Sequence, residues 1–95
     1  MALWMTWELE GVGTASHSQA VESVEEPARW LVGSVERSRR AFEAEWRRRR
    51  IMESALRVRA QMLGEGRETV EGGASWSLAD EGGVEVRLAV RKEQG

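Results

Sequence analysis

Residues 2–10 alternate between apolar and polar positions, and the pattern then changes to a helical one. The apolar residues of one parity are Leu3, Met5, Trp7 and Leu9. A period of two with aromatic content predicts a half-buried strand over about residues 2–10. Gly11 and Gly13 predict its end, and we interpret the following GTASHSQ as a loop.

A long helical pattern covers about residues 20–63. Ser23 and Glu26 have capping-box spacing, and Pro27 suits a first helical turn. Gly64 and Gly66 predict the end of the helix. One apolar seam with a spacing of three and four consists of Ala28, Leu31, Val35, Phe42, Trp46, Met52, Leu56, Ala60 and Leu63.

The C-terminal third has the pattern of a hairpin. Alternation predicts strands over about residues 67–79 and 84–91, joined by a turn at DEGG, residues 80–83. The predicted fold is therefore α+β with the order β-α-β-β, in which a three-stranded, mainly antiparallel sheet packs on one long helix. The chain, 1–95, is expected to form a single domain.

The predicted helix is too long for such a domain. From residue 28 to residue 63 it would measure about 54 Å, whereas a compact chain of this size is about 30 Å across. A second apolar stripe appears in the C-terminal half, at Ala44, Ile51, Ala55, Val58 and Met62. Either the helix breaks, near Gly33 for example, and covers itself, or it packs against another chain. We expect a homo-oligomer, most simply a dimer, with an interface at Ile51, Ala55, Val58, Met62 and Trp30.

Charge is uneven along the chain. The net charge is −2, but residues 37–59 carry nine arginines and three glutamates between two acidic flanks. Four glutamates lie four residues before an arginine, the favourable order for helical ion pairs: Glu36–Arg40, Glu43–Arg47, Glu45–Arg49 and Glu53–Arg57. Arginines spread around a helix are typical of a solvated face, whereas a phosphate-binding surface needs them on one side. The candidate partner or nucleic-acid contacts are Arg37, Arg47, Arg48, Arg50, Arg59 and Trp4.

Five tryptophans occur in 95 residues. Trp7, Trp46 and Trp76 fall on predicted core faces. Trp4 lies on the opposite face of the first strand and Trp30 lies off the helical seam, so both are expected at interfaces, where tryptophan is enriched.

Few residues suggest chemistry. The absence of cysteine excludes disulfides, zinc–thiolate sites and thiol nucleophiles. His17 is the only histidine and Asp80, in the predicted turn, the only aspartate. We therefore expect no enzymatic activity, metal or cofactor. The apolar N-terminal run is too short for a signal peptide or a membrane span, so we expect a soluble, cytoplasmic protein without membrane contacts.

The stretch WELEGVGTAS, residues 7–16, and the strand–helix–hairpin order superficially resemble dodecins, a family of small flavin-storing oligomers. The predicted helix is far longer than in that family, and no residue role is carried over.

Three hypotheses follow. The first is a non-catalytic interaction protein that self-associates through its helix and binds another macromolecule, as immunity proteins, antitoxin-like modules and phage accessory proteins do. The alternatives are a nucleic-acid-binding protein and a small-ligand or flavin-binding oligomer.

Overall fold

The computed structural model describes residues 2–91, which form an antiparallel sheet covered on one face by helices. The elements are β1 (Ala2–Leu9), β2 (Gly13–Ala20), α1 (Glu25–Arg37), a 3-10 turn (Arg39–Ala41), α2 (Glu45–Gln61), a π-helical turn (Met62–Gly66), α3 (Arg67–Glu71), β3 (Trp76–Ala79) and β4 (Val84–Arg91). The α+β class and the antiparallel sheet are confirmed. The sheet has four strands instead of the three predicted, in the order β2-β1-β4-β3.

Strand β2 is the strand that the sequence pattern did not predict. It pairs with β1 along its whole length, from Leu9 opposite Gly13 to Ala2 opposite Ala20. The tight turn between the two strands uses Gly11 at φ 80°, a conformation that glycine adopts without strain. The side chains of β2 are mostly exposed and polar, so no apolar alternation marks the strand. Its backbone pairing with β1, not its side chains, makes it a strand.

The single long helix that was predicted is broken between Ser38 and Ala44, past Gly33, and folds back on itself. At about 1.5 Å per residue, α1 and α2 measure roughly 20 and 26 Å, close to the roughly 27 Å of an eight-residue strand. Arg67, which follows α2 after the π-helical turn, forms a salt bridge of 3.2 Å with Glu25 at the start of α1. The C-terminal side of α2 thus lies near the start of α1, and the two helices run antiparallel. The break thus fits both helices onto one sheet.

Folding back also decides which helical stripe enters the core. Helix α1 buries Ala28, Leu31 and Val35 of the predicted seam. After the break the second stripe takes over, and Ile51, Ala55, Val58 and Met62 are at most 4% exposed. The seam residues Trp46 and Leu56 are instead 63% and 39% exposed. The prediction that Trp46 lies in the core is therefore wrong, whereas Trp7 and Trp76 are buried as predicted.

The C-terminal region keeps the predicted hairpin but shortens its first strand. Gly64 and Gly66 do not end the helix, because the chain continues through the π-helical turn into α3, where Val70 is buried. Gly66 lies under the Trp76 ring, and a Cβ there would be 3.2 Å from two ring carbons. The predicted turn at residues 80–83 is confirmed: the N–H of Asp80 donates to the Val84 carbonyl, and that of Gly83 to the Asp80 carbonyl.

Candidate interaction surfaces

The helical break gathers arginines at one end of the molecule. Residues 37–50, here called the arginine end, comprise the last residue of α1, the connection and the start of α2, and carry seven arginines and two glutamates. The arginine end lies near the β1–β2 and β3–β4 turns, because Arg50 donates to the Glu81 carbonyl over 3.3 Å. A segment with a net charge of +5 is thus concentrated at one end of an acidic chain.

Only one carboxylate of this end forms an ion pair. Glu45 accepts a hydrogen bond from Arg48 over 2.6 Å, and the bond and charge of Arg48 lower the pKa of Glu45. The other predicted pairs do not form in residues 2–91. Glu36–Arg40 and Glu43–Arg47 fall across the helical break, and Arg57 turns to Asp80 instead of Glu53. The predicted pairing on α2 is therefore reversed at two positions: Arg48 is paired with Glu45, and Arg49 forms no salt bridge within residues 2–91.

Trp46 is the most exposed large apolar side chain in the described part of the chain, at 63%. The Arg47 guanidinium lies over its indole, 5.8 Å from the ring centroid, within cation–π range. Arg50 lies beside Trp46 in a shallow depression that Glu10 and Gly82 also line. Together with Arg49, which is exposed and forms no salt bridge within residues 2–91, these residues form what we call the tryptophan–arginine surface: Trp46, Arg47, Arg49 and Arg50.

A polar network fixes this surface to the sheet. Asp80 accepts from Arg57 Nε over 3.2 Å and Nη2 over 2.9 Å, from the Ser54 hydroxyl over 2.6 Å and from the Gly82 N–H over 2.8 Å. Ser54 Oγ in turn accepts from the Val84 N–H over 3.2 Å. These bonds join the middle of α2 to the β3–β4 turn. We call Asp80, Arg57, Ser54 and Gly82 the Asp80 network.

The Asp80 network is electrostatically favourable. The hydrogen bond from Arg57 is the largest cause of a strong lowering of the pKa of Asp80, and the bonds from Ser54 and the Gly82 N–H act in the same direction. The same hydrogen bond raises the pKa of Arg57. Each polar side-chain atom of Asp80 and Ser54 has a partner in the fold, so the network is a structural joint between α2 and the β3–β4 turn.

A second candidate surface lies at the free edge of β2. Trp30 of α1 is half-buried and packs edge-on against His17 of β2, with ring centroids 4.4 Å apart. The Trp7 indole N–H donates to Ser34 Oγ over 2.9 Å beneath them. Arg37 completes an open groove between α1 and β2. Because β2 is the last strand of the sheet, the outer side of its backbone faces solvent.

The remaining face of the sheet carries no helix and is polar. Trp4 lies there, its indole N–H donating to Thr6 Oγ1 over 3.0 Å, and the Arg91 guanidinium covers its ring at 4.2 Å from the centroid. Thr6 is in hydrogen-bond contact with Ser16, 3.2 Å away on β2. Trp4 is thus half-covered by its own chain. It lies near the start of β1, whereas the arginine end lies near the turn that follows β1.

The predicted site residues therefore separate into three groups. Ile51, Ala55, Val58 and Met62 are covered by the sheet of their own chain, so the reason for assigning them to an oligomer interface is removed. Arg47 and Arg50 lie together at the tryptophan–arginine surface. The other predicted contacts lie elsewhere. Arg48 is paired with Glu45, and both Arg37 and Trp30 line the groove beside β2. Arg59 is exposed farther along α2, and Trp4 is on the helix-free face.

Sequence reasoning missed two features of these surfaces. Trp46 fell on the apolar seam, and only the helical break makes it an exposed residue. Strand β2 was interpreted as a loop, although Gly11 between two short extended segments is a hairpin signal that could have revealed it.

Further searches assign no ligand or relative. Within residues 2–91, His, Asp and Glu form no group of three that could hold a metal ion. No helix in this part of the chain combines the length and apolar character needed to cross a bilayer. No protein-family model, curated protein or solved structure matches the chain.

Proposed function

We propose that this protein is a non-catalytic binding module, and that its tryptophan–arginine surface contacts the acidic surface of another protein. The observation that carries the proposal is the setting of Trp46, which is 63% exposed and flanked by Arg47 at 5.8 Å. Tryptophan and arginine are the residues most enriched among the energetic centres of protein interfaces. An exposed tryptophan also loses stabilising apolar burial, so its exposure is costly unless a partner covers it.

The available positive charge supports an acidic partner. Arg47, Arg49 and Arg50 form no salt bridge within residues 2–91, whereas Arg48 and Arg57 on the same helix each have a carboxylate. Planar guanidinium groups bind carboxylates through two parallel hydrogen bonds. Three guanidinium groups without a salt bridge in residues 2–91, close in sequence to an exposed indole, would therefore suit an aspartate- or glutamate-rich surface that also offers an apolar contact.

The charge pattern favours a protein over a nucleic acid. Glu45 lies within the arginine end, and Glu10 lines the depression beside Trp46. Surfaces that track phosphates carry uninterrupted positive charge along one face, and carboxylates among the arginines repel the phosphate backbone of a nucleic acid.

A direct test compares matched single variants of α2. Trp46→Ala and Arg49→Ala alter the surface, and Arg59→Ala removes an exposed arginine about 15 Å farther along the same helix. Proteins captured from the native host by the wild type would be purified and titrated by calorimetry. We expect a partner whose affinity falls at least about tenfold with either surface variant and stays unchanged with Arg59→Ala. Equal affinity for all four proteins would overturn the proposal.

Nucleic acid is the alternative outcome of the same design. Fluorescence anisotropy would use labelled single- and double-stranded oligonucleotides at several salt concentrations. Binding that weakens steeply with salt and is lost in Arg49→Ala, but not in Arg59→Ala, would replace the acidic protein by a nucleic acid as the partner.

A further inference from the structure

The outer edge of β2 is unusually open. Exposed edge strands in natural proteins are short, carry charged residues or proline, or contain a bulge, since a free edge pairs with other chains. At the opposite edge, β3 has only four residues. Strand β2 has eight, with no charged residue, no proline and an uninterrupted register with β1. None of these protective features shields the edge of β2.

The register of the strands determines which backbone N–H and C=O groups of β2 point outward at this edge. The Glu10 N–H donates to the Gly83 carbonyl, so the even-numbered backbone groups at this end of β1 point toward β4. Hydrogen-bonding direction alternates along an antiparallel strand, so the odd-numbered residues of β1 bond to β2. Their partners in β2 are also odd-numbered, from Gly13 to Gln19. The even-numbered residues Thr14, Ser16 and Ser18 therefore direct their backbone N–H and C=O groups outward.

The helix beside this edge has opposite charges at its two ends. Glu26, Trp30 and Arg37 are spaced by four and seven residues, so they share one stripe of α1. The stripe faces β2: Gln19 donates to Glu26 over 3.5 Å, Trp30 packs on His17, and Arg37 lines the groove with Ala15. From one end to the other, this stripe of α1 therefore presents a carboxylate, an indole and a guanidinium beside β2.

We propose that two copies of this chain pair antiparallel through β2, forming one continuous eight-stranded sheet. A twofold axis near His17 places Gln19 of one copy opposite Ala15 of the other. Glu26 of each copy then faces Arg37 of its partner, and the two Trp30 side chains lie near the axis. The charge order of the α1 stripe is self-complementary under this rotation, and this favours a second copy over an unrelated strand.

The dimensions agree with this arrangement. Helix α1 contacts β1, and two β1 strands separated by two β2 strands lie about 14 Å apart. Helices packed directly together lie about 8–10 Å apart, so a gap remains between the two α1 helices. The half-buried Trp30 residues, one from each side, would fill that gap over the His17 rings.

A pair of variants at Ser16 tests the strand pairing. Ser16→Pro removes an outward N–H without removing a bond to β1, and Ser16→Ala removes only the side chain, including its contact with Thr6. Sedimentation equilibrium of the wild type should give twice the 10.7 kDa chain mass. Ser16→Pro should weaken the dimer at least about tenfold, with Ser16→Ala close to the wild type.

A charge exchange tests the partner without altering the strand. Glu26→Arg and Arg37→Glu should each weaken their own homodimer, because each places like charges at both junctions. Mixed in equal amounts, the two variants should form a heterodimer with both junctions restored, detectable by native mass spectrometry. A wild-type protein that stays monomeric at about 100 μM, roughly the range of weak transient pairing, would overturn the proposal. A dimer unaffected by Ser16→Pro and by either charge variant would overturn it equally.

Discussion

Helix α2 carries arginines in two different settings. Arg57 is held by Asp80 through two hydrogen bonds and takes part in a joint in which every polar side-chain atom of Asp80 and Ser54 has a partner. Arg49, two turns earlier, is exposed and forms no salt bridge in the described part of the chain. The same residue type therefore has two uses on one helix. A carboxylate within reach holds Arg57 in the fold, whereas Arg49 has none in the described residues and its guanidinium is exposed to solvent.

The largest expected effect concerns the structural setting. Asp80→Ala should lower the free energy of unfolding by about 2–3 kcal/mol, because the buried Ser54 hydroxyl and the buried Gly82 N–H lose their acceptor, while the exposed Arg57 contributes less. Urea denaturation followed by circular dichroism measures this loss. Asp80→Asn is the matched control: it keeps acceptors for Ser54 and Gly82 and should cost less. A loss below about 0.5 kcal/mol, the usual size of a surface effect, would remove the distinction between the two settings.

The close approach of the β3–β4 turn to α2 gives the next effect. A Cβ at Gly82 would lie 2.6 Å from the Ser54 Cβ and would crowd Arg57, so Gly82→Ala should cost about 1–3 kcal/mol. Gly64→Ala is the comparison, since a Cβ at that position has open space around it. It should be neutral or slightly stabilising, because alanine favours helical turns. Equal thermal stability of the two variants would contradict the tight fit of the turn.

Acid should weaken the same joint. The folded-state pKa of Asp80 lies below its ordinary value, so the carboxylate stabilises the fold fully above about pH 5. That contribution is lost as the pH falls below the ordinary aspartate value near 3.9 toward the lower folded-state pKa. Unfolding free energies at pH 6 and pH 3 should therefore differ more for the wild type than for Asp80→Asn. An identical change in both proteins would show that Asp80 is not stabilised by its neighbours.

The smallest expected effect on stability belongs to the tryptophan–arginine surface. Arg49→Ala should change the free energy of unfolding by no more than about 0.5 kcal/mol, because its guanidinium is exposed and has no carboxylate partner in residues 2–91. Arg57→Ala, the same substitution two turns along the helix, should cost more, because it leaves Asp80 without its main partner. If the two variants were equally unstable, Arg49 would have a structural role that its exposure does not indicate.

The sequence predicted those elements whose side chains alternate or repeat against a core. Leu3, Met5, Trp7 and Leu9 identify β1 because one face of that strand is buried, and the same argument holds for β4. Strand β2 escaped prediction because backbone pairing with β1 forms it, while its small polar side chains stay exposed. The one local mark of this hairpin is the glycine turn at Gly11, which shows that the chain reverses but not that a paired strand follows.

The helical region shows a different limit of sequence reasoning. The sequence shows both apolar stripes of α2, but it does not determine which of them packs against the sheet. A straight helix of about 54 Å, at about 1.5 Å per residue, is too long for a domain of this size. The position of the break, after Arg37, decides that Ile51 is buried and Trp46 exposed. The Asp80 network was equally hidden, because Arg57 has an apparent local partner in Glu53 and binds Asp80 instead.

The central claim is that binding and stability reside in different arginines of α2. It is tested most directly by measuring both quantities on Arg49→Ala and Arg57→Ala with the purified partner. We expect Arg49→Ala to weaken binding at least about tenfold at unchanged stability, and Arg57→Ala to lower stability while it keeps its affinity under conditions in which it is folded. Full affinity in Arg49→Ala, with binding lost in folded Arg57→Ala, would contradict it.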